Sequence, residues 1–194
     1  RNDRGARIGI ADRLHQLVGI LGAGEKATGA ADPYGLRRAA IGVLRLLGAR
    51  GYHVSLATAV EATLDALSGA RLAADRAVVA EQVIDFVRGR LRALWGEEFD
   101  ADLVEAVLAA GFDDVVDARR RLEALAGVKA RPDFVPLAVA FKRVANIREK
   151  AGATGAAAVD PTRLREAAES QLLGELERVE SEVADLRVRR DYTA

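Results

Sequence analysis

Asp12 and His15 are the first residues whose types and spacing could support chemistry. Residues three positions apart share a face of a helix, so this carboxylate and imidazole could bind one metal ion together. The second histidine, His53, follows Gly51, and the sequence contains no His-Asp dipeptide or Glu-x-x-His pair to complete a ligand set. A polar pair on a helix surface is therefore the preferred interpretation, and we predict neither a metal site nor a catalytic residue.

A glycine-rich stretch at 19–29 contains Lys26 and superficially resembles a phosphate-binding loop. It lacks the Gly-Lys-Ser/Thr ending and the preceding strand that such a loop needs. Gly22 and Gly24 follow a helical pattern and are typical of a helix C-terminus. No Gly-x-Ser-x-Gly elbow occurs, and the absence of cysteine excludes a thiolate nucleophile or thiolate metal ligand.

Clusters of basic residues are the stronger candidates, because guanidinium and ammonium groups bind phosphate oxygens. The clusters are Arg37 and Arg38; Arg88, Arg90 and Arg92; Arg119, Arg120 and Arg121; and Lys142, Arg143, Arg148 and Lys150. Asp85 and Asp117 precede two of the clusters at helical spacing, so ion pairing within helices explains part of this charge without a nucleic acid. The low aromatic content of 5% argues against a platform for stacking single strands.

The elements that position these residues are helices. Half of the 194 residues are hydrophobic, and apolar positions recur at intervals of three and four, which indicates an all-α, multi-helix fold with a substantial core. The 29 basic and 29 acidic residues balance. No apolar run is long enough for a membrane helix, so we expect a soluble, cytoplasmic protein. The absence of methionine suggests a piece of a longer polypeptide.

Helix boundaries follow from glycines, prolines and capping residues. Asp32-Pro33 and Asp160-Pro161 are each predicted to start a helix, with the aspartate as the cap. The predicted helices are 7–21, 32–47, 55–67, 74–95, 100–110, 113–126, a helix starting between 132 and 136 and ending near 150, and 160–186. The last carries apolar residues at alternating steps of four and three, which favours an antiparallel helix hairpin. These are Leu172, Leu176, Val179, Val183 and Leu186.

Three stretches of the sequence are more informative about the family of the protein than its composition is. They are ADRLHQLVGILGAG…DPYGLRRAAIGVLRLL within 11–47, FDDVVDARRRLEAL at 112–125 and PLAVAFKRVANI at 136–147. In this order, they resemble the β subunit of the bacterial heterotetrameric glycyl-tRNA synthetase. The resemblance covers nearly the whole chain. Two departures from the family pattern are His15, where an aspartate is common, and Tyr34, where a phenylalanine is common.

This resemblance implies two domains and a division of labour. Residues 1–70 would be the C-terminal part of an HD-like helical domain, and 71–194 a DALR-type anticodon-binding domain truncated at its C-terminus. The chain would bind glycine tRNA and work with the α subunit, which uses ATP and Mg²⁺ for aminoacylation. No cofactor is expected in this chain, and neither DNA nor a membrane is expected as a partner.

The matched motifs imply five tRNA-binding residues: Arg37 and Arg38 in DPYGLRRAA, and Lys142, Arg143 and Asn146 in FKRVANI. Structural roles for three of them stay open. Arg37 or Arg38 could brace the preceding loop through Asp32, and Asn146 could cap or bridge helices.

Two other functions are compatible with the sequence. An HD-type, metal-dependent phosphohydrolase would need ligands beyond Asp12 and His15. A helical protein-interaction module without an RNA role is favoured by the zero net charge and by the apolar seam near the C-terminus.

Overall fold

The described chain is built from α-helices, which confirms the predicted all-α class. The computed structural model describes residues 3–25, 32–152 and 159–193. Within these ranges, the only β pairing is an isolated bridge between Ser55 and Asp114. The helices are α1 (Asp3–Gly22), α2 (Leu36–Arg50), α3 (Leu56–Ala66), α4 (Arg76–Trp95), α5 (Ala101–Ala110), α6 (Val115–Lys129), α7 (Phe134–Lys150) and α8 (Ala167–Arg189). Every described helix is too short or too polar to span a lipid bilayer.

The predicted start of α2 at Asp32 is wrong by four residues. Asp32 is the first residue of a turn in which the Gly35 N–H donates to the Asp32 carbonyl at 3.0 Å. Gly35, the last residue of this turn, has a left-handed backbone with a φ of 65°. Proline in second position and glycine in fourth are typical of such turns. Asp32 still caps the helix, because its Oδ2 accepts from the Arg37 N–H at 3.2 Å.

The second Asp-Pro pair is also not the start of a long helix. The Asp160 carboxylate accepts from the Thr162 N–H at 3.0 Å and closes a single 3₁₀ turn, Pro161–Arg163. Leu164 is extended, so the turn cannot continue as a helix. α8 begins at Ala167, where Glu166 and Glu169 form a reciprocal capping box.

The main core joins the first four helices. α1 packs against α2, α3 and α4. Leu17 and Val83 have no exposed surface, and Leu36 is equally buried at the start of α2. The core cluster consists of Leu17, Val18, Leu21, Leu36, Ala39, Ala40, Val60, Leu64, Val79 and Val83. Burial of these aliphatic side chains provides the main driving force for folding of this part.

The start of α3 and the start of α6 share their capping groups. The Leu56 and Ala57 N–H groups donate to the Asp113 carbonyl and to its Oδ1, at 2.9 and 2.8 Å. Asp114 Oδ1 accepts from the Asp117 N–H at 3.0 Å, and its Oδ2 lies 2.8 Å from His53 Nδ1. One Asp-Asp pair thus accepts from amides at two helix N-termini that are far apart in sequence, beside the Ser55 Oγ that caps the Thr58 N–H of α3.

The chain divides into two compact units, residues 1–123 and 124–194. α4 falls after the predicted domain boundary at 70 and 71, but it packs in the first unit against α1, α2 and α3. The predicted boundary separates two domains of the family, whereas the compact units are defined by contacts within this chain alone. The boundary at 70 and 71 therefore stays a prediction.

α7 and α8 bury no residue. The predicted seam is present on α8, but Leu172 is 71% exposed and Val183 42% exposed, so the described helices do not form the predicted hairpin on it. Exposed ion pairs along α8 add modestly to its stability, with Arg178 bonded to Glu175 at 2.8 Å and Glu182 at 2.9 Å.

Candidate nucleic-acid interface

Arg37 and Arg38 lie in the first turn of α2 and differ in exposure. Arg37 is half-buried, whereas the side chain of Arg38 is 81% exposed. Arg38 Nε lies 4.0 Å from Asp32 Oδ2, a contact at the limit of an ion pair that leaves the arginine side chain largely in solvent. Asp32 thus braces the loop mainly through the Arg37 backbone, and the Arg38 guanidinium is presented to solvent.

Arg38 lines a polar cleft of about 370 Å³ between α1 and the turn that precedes α2. Asp12, Arg13, Gln16 and Tyr34 line the same cleft. Gln16 Nε2 donates to the Tyr34 carbonyl at 2.6 Å, which ties the turn to α1. The cleft therefore combines two guanidinium groups, a carboxylate, an amide and an aromatic ring.

Arg13 was not among the predicted site residues. Its Nη1 donates to the Gly9 carbonyl at 2.8 Å, and its side chain lies across Gly42 of α2, where a Cβ would come within 2.7 Å of Arg13 Cδ. A glycine inside an otherwise regular helix is the signal that could have indicated this close approach.

The other three predicted residues lie together on α7. Lys142, Arg143 and Asn146 share one face with Val139, Ile147 and Lys150, as their helical spacing requires. All are exposed. Within the described residues, Lys142 and Arg143 take part in no ion pair, so both cations are available to an external anion. Asn146 neither caps a helix nor bridges helices in this part of the chain.

The remaining basic clusters are largely engaged within the fold, as the alternative of ion pairing predicted. Arg88 pairs with Asp85 at 3.0 Å. Arg121 pairs with Asp117 at 3.0 Å and donates to the Gly111 carbonyl at 2.5 Å. These arginines act first as structural groups.

Arg92 and Arg119 are engaged in the same way. Arg92 Nη2 donates to Glu105 Oε2 at 2.8 Å and thereby lowers the pKa of the Glu105 carboxyl. Arg119 lies over the Phe99 ring and bonds Glu98 at 2.6 Å and Glu123 at 2.7 Å. The hydrogen bond from Arg119 lowers the pKa of Glu98.

The two residues of the candidate metal pair line different cavities. Asp12 faces the polar cleft, whereas His15 lines an apolar cavity of about 680 Å³ with Leu14, Ala62 and other residues of α1 and α3. Within the described ranges, no three His, Asp or Glu side chains are grouped so that they could hold a metal ion. The phosphohydrolase alternative thus gains no support from this part of the chain.

Comparison with known proteins agrees with the resemblance. The sequence model of the glycyl-tRNA synthetase beta subunit family matches residues 1–109. The glycine--tRNA ligase beta subunit of Anaeromyxobacter sp. (strain K) is 74% identical over 194 residues, which is all of this chain and 28% of that protein.

Two further relatives carry the same description. The beta subunit of Myxococcus xanthus (strain DK1622) is 56% identical over 154 residues, 77% of this chain and 22% of that protein. The beta subunit of Geobacter sulfurreducens is 43% identical over 193 residues, the full span of this chain and 28% of that protein. The chain thus spans less than a third of the length of these curated relatives. Its family is nevertheless clear from the match to more than half of its residues: it belongs to the glycyl-tRNA synthetase beta subunits.

Proposed function

We propose that this chain supplies a tRNA-binding surface to a glycine–tRNA ligase. In this proposal, the chain binds glycine tRNA, and a partner α subunit uses ATP and Mg²⁺ to carry out the aminoacylation. The family membership supports this assignment, because the relatives are beta subunits of that ligase. The chain itself is proposed to be non-catalytic and to act in the cytoplasm.

The observation that carries the proposal is the exposed basic face of α7. Lys142 and Arg143 lie one turn from Asn146 and two turns from Lys150 on this face. They form no ion pair in the described parts of the chain, whereas Arg88, Arg92, Arg119 and Arg121 do. Exposed, unneutralised cations release counterions when they bind phosphates, and that release drives association with nucleic acids.

A contact between this face and the anticodon loop is the finer part of the proposal. Sequence-specific recognition of RNA mostly uses unpaired loop bases, whose edges are accessible. The amide of Asn146 can both donate and accept, so it can read a base edge while the neighbouring cations hold phosphates.

The decisive experiment measures the binding of this chain to glycine tRNA over a salt series. We expect Lys142→Ala with Arg143→Ala to weaken binding and to reduce the slope of log affinity against log salt by about 1.5, since each lost phosphate contact contributes about 0.7–0.9. A tRNA with a substituted anticodon should bind the parent chain less tightly than glycine tRNA.

A matched control removes two arginines that are already neutralised. Arg131 pairs with Asp133 at 2.8 Å, and Arg178 pairs with Glu175 at 2.8 Å. Arg131→Ala with Arg178→Ala changes the net charge equally and should leave the salt slope unchanged. Equal loss of affinity in both double variants would show that only net charge matters and would contradict the proposed interface.

A second candidate function, docking of a protein such as the α subunit, is favoured by one observation. Several large apolar side chains of α7 and α8 are exposed, with Phe141 at 76% and Leu172 at 71%. Exposed apolar surface on this scale is typical of interaction sites. Binding to the α subunit that does not change with salt, together with the absence of tRNA binding, would favour this function.

A further inference from the structure

Tyr34 is an exposed aromatic residue in a polar setting. The residue is 42% exposed, and the only other exposed aromatic residue of the described ranges is Phe141. Phe141 lies among exposed apolar residues of α7, such as Leu137 and Val144, and fits a helix-packing face. Tyr34 instead lines the cleft that contains Arg13 and Arg38.

The backbone of Tyr34 is fixed from both sides. Its carbonyl accepts from Gln16 Nε2 at 2.6 Å, and the turn that carries it is closed by the bond from Gly35 N–H to the Asp32 carbonyl at 3.0 Å. Pro33 further restricts the preceding backbone. A ring held on a rigid turn loses little conformational entropy when a planar ligand stacks on it.

The other groups of the cleft match the remaining parts of a nucleotide. The exposed guanidinium of Arg38 can hold a phosphate, and Arg13, whose Nη1 already donates to the Gly9 carbonyl, adds a second positive charge to the cleft. Gln16 uses its amide nitrogen on Tyr34, so its carbonyl oxygen can accept from the amino group of a base, as can the Asp12 carboxylate. A volume of about 370 Å³ falls in the range of small-ligand sites.

We propose that this cleft binds one unpaired nucleotide of the tRNA, with the base stacked on Tyr34 and a phosphate on Arg38. The inference rests on the proposed function, because it takes tRNA as the ligand, but it adds a site on the first unit that the basic face of α7 does not include. Stacking needs only an aromatic face, so phenylalanine at position 34 would serve equally well.

Stacking and charge can be separated by the salt series. Tyr34→Ala should lower the affinity for glycine tRNA about tenfold with an unchanged salt slope, because stacking releases no counterion. Tyr34→Phe should keep the parental affinity. Arg38→Ala should lower the affinity and reduce the salt slope by about 0.7–0.9. Circular dichroism and the thermal midpoint, both expected to stay unchanged for Tyr34→Ala, check that the fold is intact.

Competition identifies the form of the nucleotide. A single-stranded RNA oligonucleotide should compete for the parent chain more strongly than for the Tyr34→Ala variant, whereas a blunt RNA duplex should compete equally for both. If mixed nucleoside monophosphates displace glycine tRNA as effectively as the oligonucleotide does, the ligand is a free nucleotide and the inference is overturned.

The outcomes separate this inference from the proposed function. Parental affinity in Tyr34→Ala, or equal losses in Tyr34→Ala and Tyr34→Phe, overturns the nucleotide site while the effect of Lys142→Ala with Arg143→Ala still supports the α7 interface. The reverse pattern overturns the α7 interface and keeps the nucleotide site. A parent chain that does not bind glycine tRNA overturns both.

Discussion

Gly35 has a backbone conformation that other residues rarely adopt. Its φ of 65° lies in the left-handed region, and a Cβ there would lie 3.3 Å from Arg38 Nη2 and 3.5 Å from Gln16 Nε2. The glycine therefore allows the left-handed end of the turn, and its lack of a Cβ leaves space for the side chains of Arg38 and Gln16 in the polar cleft.

Replacing Gly35 with alanine should destabilise the protein by about 1–2 kcal/mol, the cost of a left-handed conformation for a residue with a Cβ. Urea unfolding monitored by circular dichroism measures this change. Gly89→Ala is the matched control, because Gly89 lies inside α4 with open space around it. That substitution should stabilise the helix by about 0.5–1 kcal/mol. Equal effects of the two substitutions would rule out conformational strain at Gly35.

At this scale, the sequence predicted the capping role of Asp32 but not the position of the cap. Tyr34-Gly35 after Asp32-Pro33 is a turn signal, and it displaces the helix start to Leu36. The position of Arg13 could not be predicted, because its contact with Gly42 depends on how two helices cross. The five predicted tRNA-binding residues remain predictions until binding is measured.

At the scale of elements, ion pairs connect α4 to α5, and the segment between these helices to α6. Glu105 of α5 accepts from Arg92 of α4, and Glu98, in the segment between these helices, accepts from Arg119 of α6. Both carboxyl groups have pKa values below the ordinary glutamate value of 4.5 because an arginine donates to them. A lowered pKa in the folded state stabilises the fold at pH values above the unfolded pKa, and this contribution is lost as the pH falls through the folded pKa.

Glu105→Gln should therefore lower the thermal midpoint at pH 7, and its difference from the parent should shrink as the pH falls below the ordinary glutamate pKa of 4.5. The difference should also shrink at high salt, since the pair is exposed. Thermal unfolding from pH 7 to about 3 tests both trends. Glu97→Gln, which removes an exposed carboxylate outside any ion pair of the described residues, should show a much smaller difference at pH 7. A Glu105→Gln difference that grows on acidification would show that the pair does not stabilise the fold.

Helix existence was predictable because apolar residues at steps of three and four mark each buried stripe. The exposure of the apolar seam on α8 was not predictable, because such a seam shows that a helix can pack against a partner but does not show which partner covers it. Exposure of Leu176 at 50% and Val179 at 40% shows that α7 does not cover it.

At the scale of the whole molecule, the two compact units differ in what holds them together. The first contains a continuous core of buried aliphatic residues, whereas α7 and α8 in the second bury none. Isolated helices are marginal in water, because most of the stability of a helix comes from packing.

Amide hydrogen exchange should therefore be much faster in α7 and α8 than in α2, where Leu36, Ala40 and Leu47 are buried. Exchange followed by mass spectrometry of peptides measures the contrast. If glycine tRNA binds α7 as proposed, adding it should slow exchange in α7. Protection of α7 and α8 equal to that of α2 in the free chain would mean that these helices are packed in solution.

The capping groups shared by α3 and α6 have a consequence for folding. The N–H groups of Leu56 and Ala57, in the first turn of α3, donate to Asp113, which lies beyond the predicted boundary at residues 70 and 71. These hydrogen bonds join parts of the chain that are far apart in sequence, so they are long-range contacts that add to the contact order. These bonds link the start of α3 to the start of α6, and a chain cut at the predicted boundary would leave the Leu56 and Ala57 amides to solvent while Ser55 still capped the Thr58 amide.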